Sequence, residues 1–454
     1  MVGIKKKPFQ GKGKRVFVTI DNFCLGEEKG AGALRAIESV NCDCSDGSIK
    51  TGVGLTRLEM GGKEVMVNLS GDNYTLYLVE DGGTLDCAER TESLFCMPAD
   101  EKLYRYNVEA GAGFDLLFHF SRGSRCCMVA SPRNEWVALF PIKDGFYMLQ
   151  GGAWTFMEVP NATTAMCYCK GRVFLGKKQR GLLYSEVDSP WIFSSKLDES
   201  GEIFLPYDFG EIVALINFRD CVYAFYDYGV VQVDAAGSPL EFSVKSLDYS
   251  GGKIYGSTVG ICNNYIMFLT DNGVVRFNGT KFEKVAKNLD IRPKRDTQVC
   301  NYAACENNYL VRYSDSRGGM RTALVAPDGG GYYVTDRPGL SQSGGRAFCI
   351  KSGVVYEIVS SGNLVGSERY SFESRKTNFG IAKKKVVKSV RLEGEGAYTF
   401  ALYCDGTWRS NTVPFDGGVA VIPIDRRGTE FAFEFQLDKN AVIRRATVEM
   451  IVTD

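Results

Sequence analysis

Cys221-Val-Tyr-Ala-Phe-Tyr-Asp-Tyr-Gly-Val-Val-Gln-Val and Tyr265-Ile-Met-Phe-Leu-Thr-Asp-Asn-Gly-Val-Val-Arg-Phe are two versions of one phrase, with Asp227 and Asp271 44 positions apart (271 minus 227). Each reads as an apolar strand, a tight turn at Asp-x-Gly and a second apolar strand, because Asp and Gly tolerate the backbone angles of a hairpin turn. A hairpin cannot bury its own faces. Repetition at about the length of a four-stranded blade therefore predicts a β-propeller, in which neighbouring units cover one another.

Further units lie on either side. Trp136-Val-Ala-Leu-Phe-Pro-Ile-Lys-Asp-Gly-Phe-Tyr-Met-Leu, Arg172-Val-Phe-Leu with Gly181-Leu-Leu-Tyr-Ser, Tyr309-Leu-Val-Arg-Tyr-Ser-Asp-Ser-Arg-Gly-Gly and Ala347-Phe-Cys-Ile-Lys-Ser-Gly-Val-Val-Tyr-Glu-Ile-Val follow the same plan. Taking Gly145, Gly181, Gly229, Gly273, Gly319 and Gly353 as turn positions, the successive differences are 36, 48, 44, 46 and 34, the scatter of divergent blades. A looser unit begins at Tyr74, so six or seven irregular blades are predicted. Helical spacing occurs only over Glu27 to Ser39, which predicts one short helix. After about residue 366 the strands lengthen and alternate strictly, as in Lys388-Ser-Val-Arg-Leu-Glu-Gly, Ala397-Tyr-Thr-Phe-Ala-Leu-Tyr and Glu430-Phe-Ala-Phe-Glu-Phe-Gln-Leu. That pattern predicts a small antiparallel β-sandwich. The expected organisation is all-β: an N-terminal arm with a short helix (1–39), a propeller (40–365) and a sandwich (366–454).

The 454 residues are 44% hydrophobic and 12% aromatic, with 51 Gly against 13 Pro, a composition of half-buried strands joined by many turns. Lys plus Arg equals Asp plus Glu at 54 each, so the summed charge gives no reason to expect a general polyanion binder. Lys5, Lys6, Lys7, Lys12, Lys14 and Arg15 cluster in the first fifteen positions and predict a solvated arm that orders on a neighbouring subunit. Neither a secretory h-region nor a run of about 18 apolar residues is visible, so a soluble, unexported chain is expected. In such a chain the odd count of 15 Cys reads as reduced core thiols, and the Asn-x-Ser/Thr matches at Asn68, Asn73, Asn161 and Asn278 carry no glycan.

Catalytic chemistry finds little purchase. The single histidine, His119, lies in the strand-like Leu116-Leu-Phe-His-Phe and reads as a packed residue rather than a base. Cys42-x-Cys44 and Cys167-x-Cys169 each put two thiols on one face of a strand, but neither is a C-x-x-C knuckle. Glu186, Asp188, Asp227 and Asp271 are the carboxylates open to a glycosidase-type pair, yet Asp227 and Asp271 sit where a turn wants Asp and Asp188-Ser-Pro is a loop signature. No phosphate-binding glycine motif is complete. The chain is expected not to be an enzyme and to need no metal or cofactor.

Two segments carry a resemblance. Glu38-Ser-Val-Asn-Cys-Asp-Cys-Ser-Asp-Gly-Ser-Ile-Lys-Thr-Gly-Val-Gly-Leu-Thr-Arg-Leu resembles the opening of many phage tail proteins, although Lys50 is not followed by Arg-Pro-Gly. Gly181-Leu-Leu-Tyr-Ser-Glu-Val-Asp-Ser-Pro-Trp-Ile-Phe is similar to a recurring phrase of the same proteins. The family is that of the propeller-containing tail nozzle, tail-hub or DNA-stabilisation proteins of short-tailed bacteriophages, and the resemblance covers about residues 30 to 365. It implies a structural virion protein, assembled in the host cytoplasm into a homo-oligomeric ring, usually a hexamer, below the portal and adaptor. It also implies that double-stranded DNA passes through the lumen without sequence recognition, and that fibres or spikes dock outside.

On that reading the arm from Lys5 to Arg15 and the sandwich supply subunit contacts. Lys177, Lys178 and Arg180, with Arg292, Lys294 and Arg295, are candidate lumen or fibre contacts. The rival readings are a carbohydrate- or receptor-binding propeller of a virion and a cytosolic scaffold propeller. The first calls for a rim of aromatic side chains, and Trp136, Trp154, Trp191 and Trp408 fall in different units.

Overall fold

The structure is a computed structural model that describes residues 13–25, 33–60, 62–67, 74–81, 91–98, 102–107, 113–119, 127–130, 136–150, 153–178, 181–194, 199–294, 300–343 and 345–453, by backbone alone from 74 to 137. No α-helix occurs among the described residues. The chain is all-β, in a β-propeller arrangement of antiparallel four-stranded meanders.

Five separate four-stranded sheets carry described side chains, at 127–158, 162–204, 212–246, 260–284 and 341–359. A sheet at 74–119 is described by backbone, and the four strands at 300–334 make the same meander at one end of a larger sheet. In the middle strands the apolar runs are continuous: Cys221–Tyr226 and Tyr265–Thr270 are buried at every position after the first. A strand becomes apolar on both faces when both faces are covered, and here consecutive sheets supply the cover. Phe225 meets Phe268 of the next sheet edge-on at 5.2 Å, and Tyr223 meets Phe277 at 5.4 Å. Each buried Phe removes enough apolar area to contribute about 1.5–3 kcal/mol.

The six turn glycines read from the sequence mark the same hairpin, between second and third strands, in six consecutive meanders. The reasons for glycine differ between them. Gly273 has φ +117°, whereas Gly229 lies outside the left-handed region and is needed because a Cβ there would stand 2.3 Å from the Phe209 ring. The sheet at 341–359 is completed by Gly54–Arg57, which pairs antiparallel with Val354–Val359.

A second body is built from both ends of the chain. Its strands are β1 (Gly13–Ile20), β2 (Ala33–Val40), β3 (Tyr370–Ser374), β4 (Lys385–Cys404), β5 (Val413–Gly428), β6 (Phe431–Leu437) and β7 (Val442–Thr453). They pair in the order β2, β3, β6, β4, β7, β1, with β5 on the other side of β4. Alternation along Phe431-Ala-Phe-Glu-Phe-Gln-Leu sends Phe431, Phe433, Phe435 and Leu437 into one core with Phe23, Phe372 and Phe400. Phe23 meets Phe372 and Phe435 edge-on at 5.8 and 5.9 Å.

Two expectations change here. Residues 27–32 of the expected helix lie outside the described residues, and its remainder is not helical: Ala33–Val40 is strand β2, with Leu34, Ala36 and Ser39 buried, because pairing with β3 and burial outweigh the preference of Ala, Leu and Glu. The arm is not free from Gly13 onward, since β1 pairs along its whole length with β7 of the same chain.

The two bodies meet at a polar joint. Asn41 is fully buried; its side chain donates to Thr335 Oγ1 and to the Arg369 carbonyl and accepts from the Thr335 amide, each at 2.9 Å. Nearby, the side chains of Arg337 and Glu368 are 1% and 2% exposed and paired, and Lys351 shares the same carboxylate. Burial alone raises the Glu368 carboxyl; Arg337 and Lys351 outweigh it and hold it below its ordinary range.

Candidate functional site

The hairpin carboxylates are occupied. Asp227 Oδ2 accepts the Glu211 amide at 3.1 Å, and Asp271 Oδ1 accepts the Lys253 amide at 3.1 Å. In both sheets the Asp therefore fastens the segment leading into the first strand to the central turn. Asp144 Oδ1 does similar work on the Asn161 amide at 3.0 Å and also pairs with Lys178, whose ammonium holds that carboxyl below its ordinary value. Of the other nominated carboxylates, Asp188 takes a positive φ of 56° and donates its amide to the Gly171 carbonyl at 2.8 Å, while the Glu186 amide donates to the Ile192 carbonyl at 3.0 Å. Both belong to a turn. The side chain of His119 lies outside the described residues.

Cys42 and Cys44 belong to the core of the second body, and Cys167 and Cys169 to a core between two propeller sheets, so the two pairs are not brought together. Burial pushes the Cys169 thiol up to about 11 and that of Cys349 up to about 12, which leaves little thiolate near neutrality.

The basic candidates separate. Lys5, Lys6, Lys7, Lys12, Arg180 and Arg295 lie outside the described residues. Lys14 and Arg15 are exposed on β1, where Arg15 Nε pairs with Glu449 at 3.1 Å. Lys177 pairs with Glu202 of its own sheet and Lys178 with Asp144 of the preceding one. Arg292 Nε pairs with Asp290 at 2.7 Å, and Lys294 is exposed beside it. Ion pairs offset Arg15, Lys177, Lys178 and Arg292 where they stand, and exposed pairs of this kind add little to stability.

A feature not anticipated from the sequence is a cleft of about 430 Å³ beside the outer strand of the 260–284 sheet. Tyr249, Val275 and Phe282 give it an apolar floor, and Asn272, Lys281 and Lys284 give it polar walls. Tyr249 and Phe282 meet edge-on at 5.2 Å, and the Tyr249 hydroxyl donates to the Gly252 carbonyl at 2.8 Å. Lys281 and Arg276 hold the Glu283 carboxyl down to about 2, so it stays an ion-pair member rather than a proton donor. The cleft is suited to holding a polar chain against two rings. The Tyr-Ser-Gly-Gly run at 249–252 reads in sequence as an ordinary loop, and only the return of Phe282 beneath it creates the depression.

No family model matches the chain, and no curated protein matches it. Among solved structures, BBS1N in complex with ARL6DN is similar at 10% identity, over 63% of this chain and 92% of that one, with a TM-score of 0.42. BamB from Moraxella catarrhalis is similar at 9% identity, over 69% and 99%, with a TM-score of 0.36. An exo-beta-1,3-galactanase from Phanerochaete chrysosporium, with galactose, is similar at 8% identity, over 88% and 100%, with a TM-score of 0.29.

Proposed function

We propose that the chain is a structural subunit of a bacteriophage tail, a nozzle or hub protein whose copies form a ring around the DNA channel and offer docking surface to fibres or spikes. The observation that carries this reading beyond the sequence resemblance is the use made of the repeated carboxylates. Asp144, Asp227 and Asp271 accept main-chain amides and brace the frame. The described basic candidates are largely offset by neighbouring carboxylates, which suits a conduit that must not grip phosphates.

In this proposal the propeller has seven blades. The contact of Ser341–Ser343 in the last meander with Tyr74–Asp81 of the first supports a closed circle of meanders. The second body is a sandwich whose two ends of chain lie in one sheet. Negative-stain imaging of the purified protein, alone and with a portal complex, tests the proposal: rings are expected, and a monomer that stays single even on the portal overturns it.

The cleft at Tyr249 and Phe282 favours one second reading, a receptor-binding propeller that holds a glycan against the two rings. Binding on a glycan array that is abolished by Tyr249→Ala, from a chain that never assembles, is the result that would put this reading first.

A further inference from the structure

Four strands of the second body form an antiparallel stretch in the order β5, β4, β7, β1. Their registers align in rows. Ile422, Val390, Val448 and Val18 share the core face, while Val421, Arg391, Thr447 and Thr19 share the solvent face. Both outer strands keep one hydrogen-bonding edge unpaired among the described residues.

On the solvent face the polarity is inverted relative to a sheet that must stay alone. Its middle strands are charged or polar: Arg391 and Arg445 both reach Glu393, at 3.3 and 3.5 Å, and Glu449 holds Arg15. Its edge strands carry the exposed apolar groups, Val419 at 58% and Val421 at 63% on β5, and Phe17 at 61% on β1. An isolated protein blunts its open edges with charge, because an apolar edge invites another strand. Here the two edges are the apolar part.

We infer that β1 of one copy pairs with β5 of the next, joining copies of this chain head to tail through a shared sheet. With four antiparallel strands, the two edges run in opposite directions. A second copy in the same orientation therefore sets its β1 antiparallel to β5 without being turned over, which is a heterologous contact of the kind that closes rings. Placing Phe17 opposite Val421 sets it between Val419 and Pro423; Thr19 then faces Val419 and Arg15 faces Pro423. Charge does not choose the pairing, since β1 carries Lys14 and Arg15 while β5 carries Asp416 and Asp425 together with Arg426 and Arg427; the two edges match in their exposed apolar groups and in strand direction. This inference rests on the ring reading and names its interface.

The experiment is oxidative cross-linking of the full chain carrying Thr19→Cys and Val419→Cys together, with each single variant as control. Within one chain these positions are about 16 Å apart, three strand spacings across and two residues along, too far for a disulfide. A ladder of covalent multimers from the double variant, and none from either single one, is the expected result. A covalent dimer from Thr19→Cys alone means a two-fold contact and overturns the inference. In parallel, V419K/V421K is expected to reduce the assembly to the mass of one chain, 50.1 kDa, with an unchanged unfolding midpoint. Rings that survive that substitution, with no ladder from the double variant, refute this interface and leave the ring reading standing. A wild-type chain that is monomeric alone and on the portal refutes both.

Discussion

The spaces between propeller sheets and the joint between the two bodies are both buried, yet they are built from opposite materials. Between sheets the contacts are hydrocarbon on hydrocarbon, as where Phe225 meets Phe268. At the joint they are an amide and an ion triad, Asn41 with Arg337, Glu368 and Lys351. The first material is non-directional and tolerates blades of unequal length. The second works at one geometry only, and so fixes how one body sits on the other.

The largest effect should come from the apolar side. Phe268→Ala empties a fully buried site and is expected to cost about 3–5 kcal/mol, read by urea unfolding, with the transition remaining single. Glu368→Gln leaves Arg337 buried without its counter-charge and is expected to cost about 3 kcal/mol, and here the transition should split as the bodies uncouple. A single, unsplit transition in that variant would erase the distinction between the two regions. The carboxyl also gives the joint a pH dependence. Because the folded state holds Glu368 below its ordinary 4.5, its contribution is complete above that value and is lost as pH falls through the lower, folded one; Glu368→Gln should remove this part of the acid sensitivity.

Asn41→Ala strands the Thr335 amide and is expected to cost about 2 kcal/mol. The smallest effect belongs to the turns. Asp227→Ala frees an exposed amide and Asp271→Ala a part-buried one, and each should cost about 1 kcal/mol by the same measurement, with similar values because the two hairpins are built alike. Unequal values would show that the repeat is one of shape only.

The same division governs what could be read from the sequence. The hairpins were legible because strand, turn and strand follow one another within a dozen residues, and all six turn glycines mark the same hairpin. The joint was not, because Asn41 finds Thr335 294 positions away and Arg369 328 positions away, and nothing local announces it. Strand β2 was misread as helix because its residues favour helix until β3 pairs with it. The four-residue strand Gly54–Arg57 is too short to show a period. The basic candidates were visible as positions but not as ion pairs, since Lys178 takes its carboxylate from a different sheet, 34 residues back.

The strand Gly54–Arg57 also sets a timetable. It is made about 300 residues before its partner Val354–Val359, and β1 must wait longer still, for β7. Every intervening meander can form as it emerges, while both closures are postponed until those late partners are made, and contacts of such long separation form slowly. Until then the exposed first strands are a liability for a chaperone to cover, and the twelve residues of β7 decide when the second body can close.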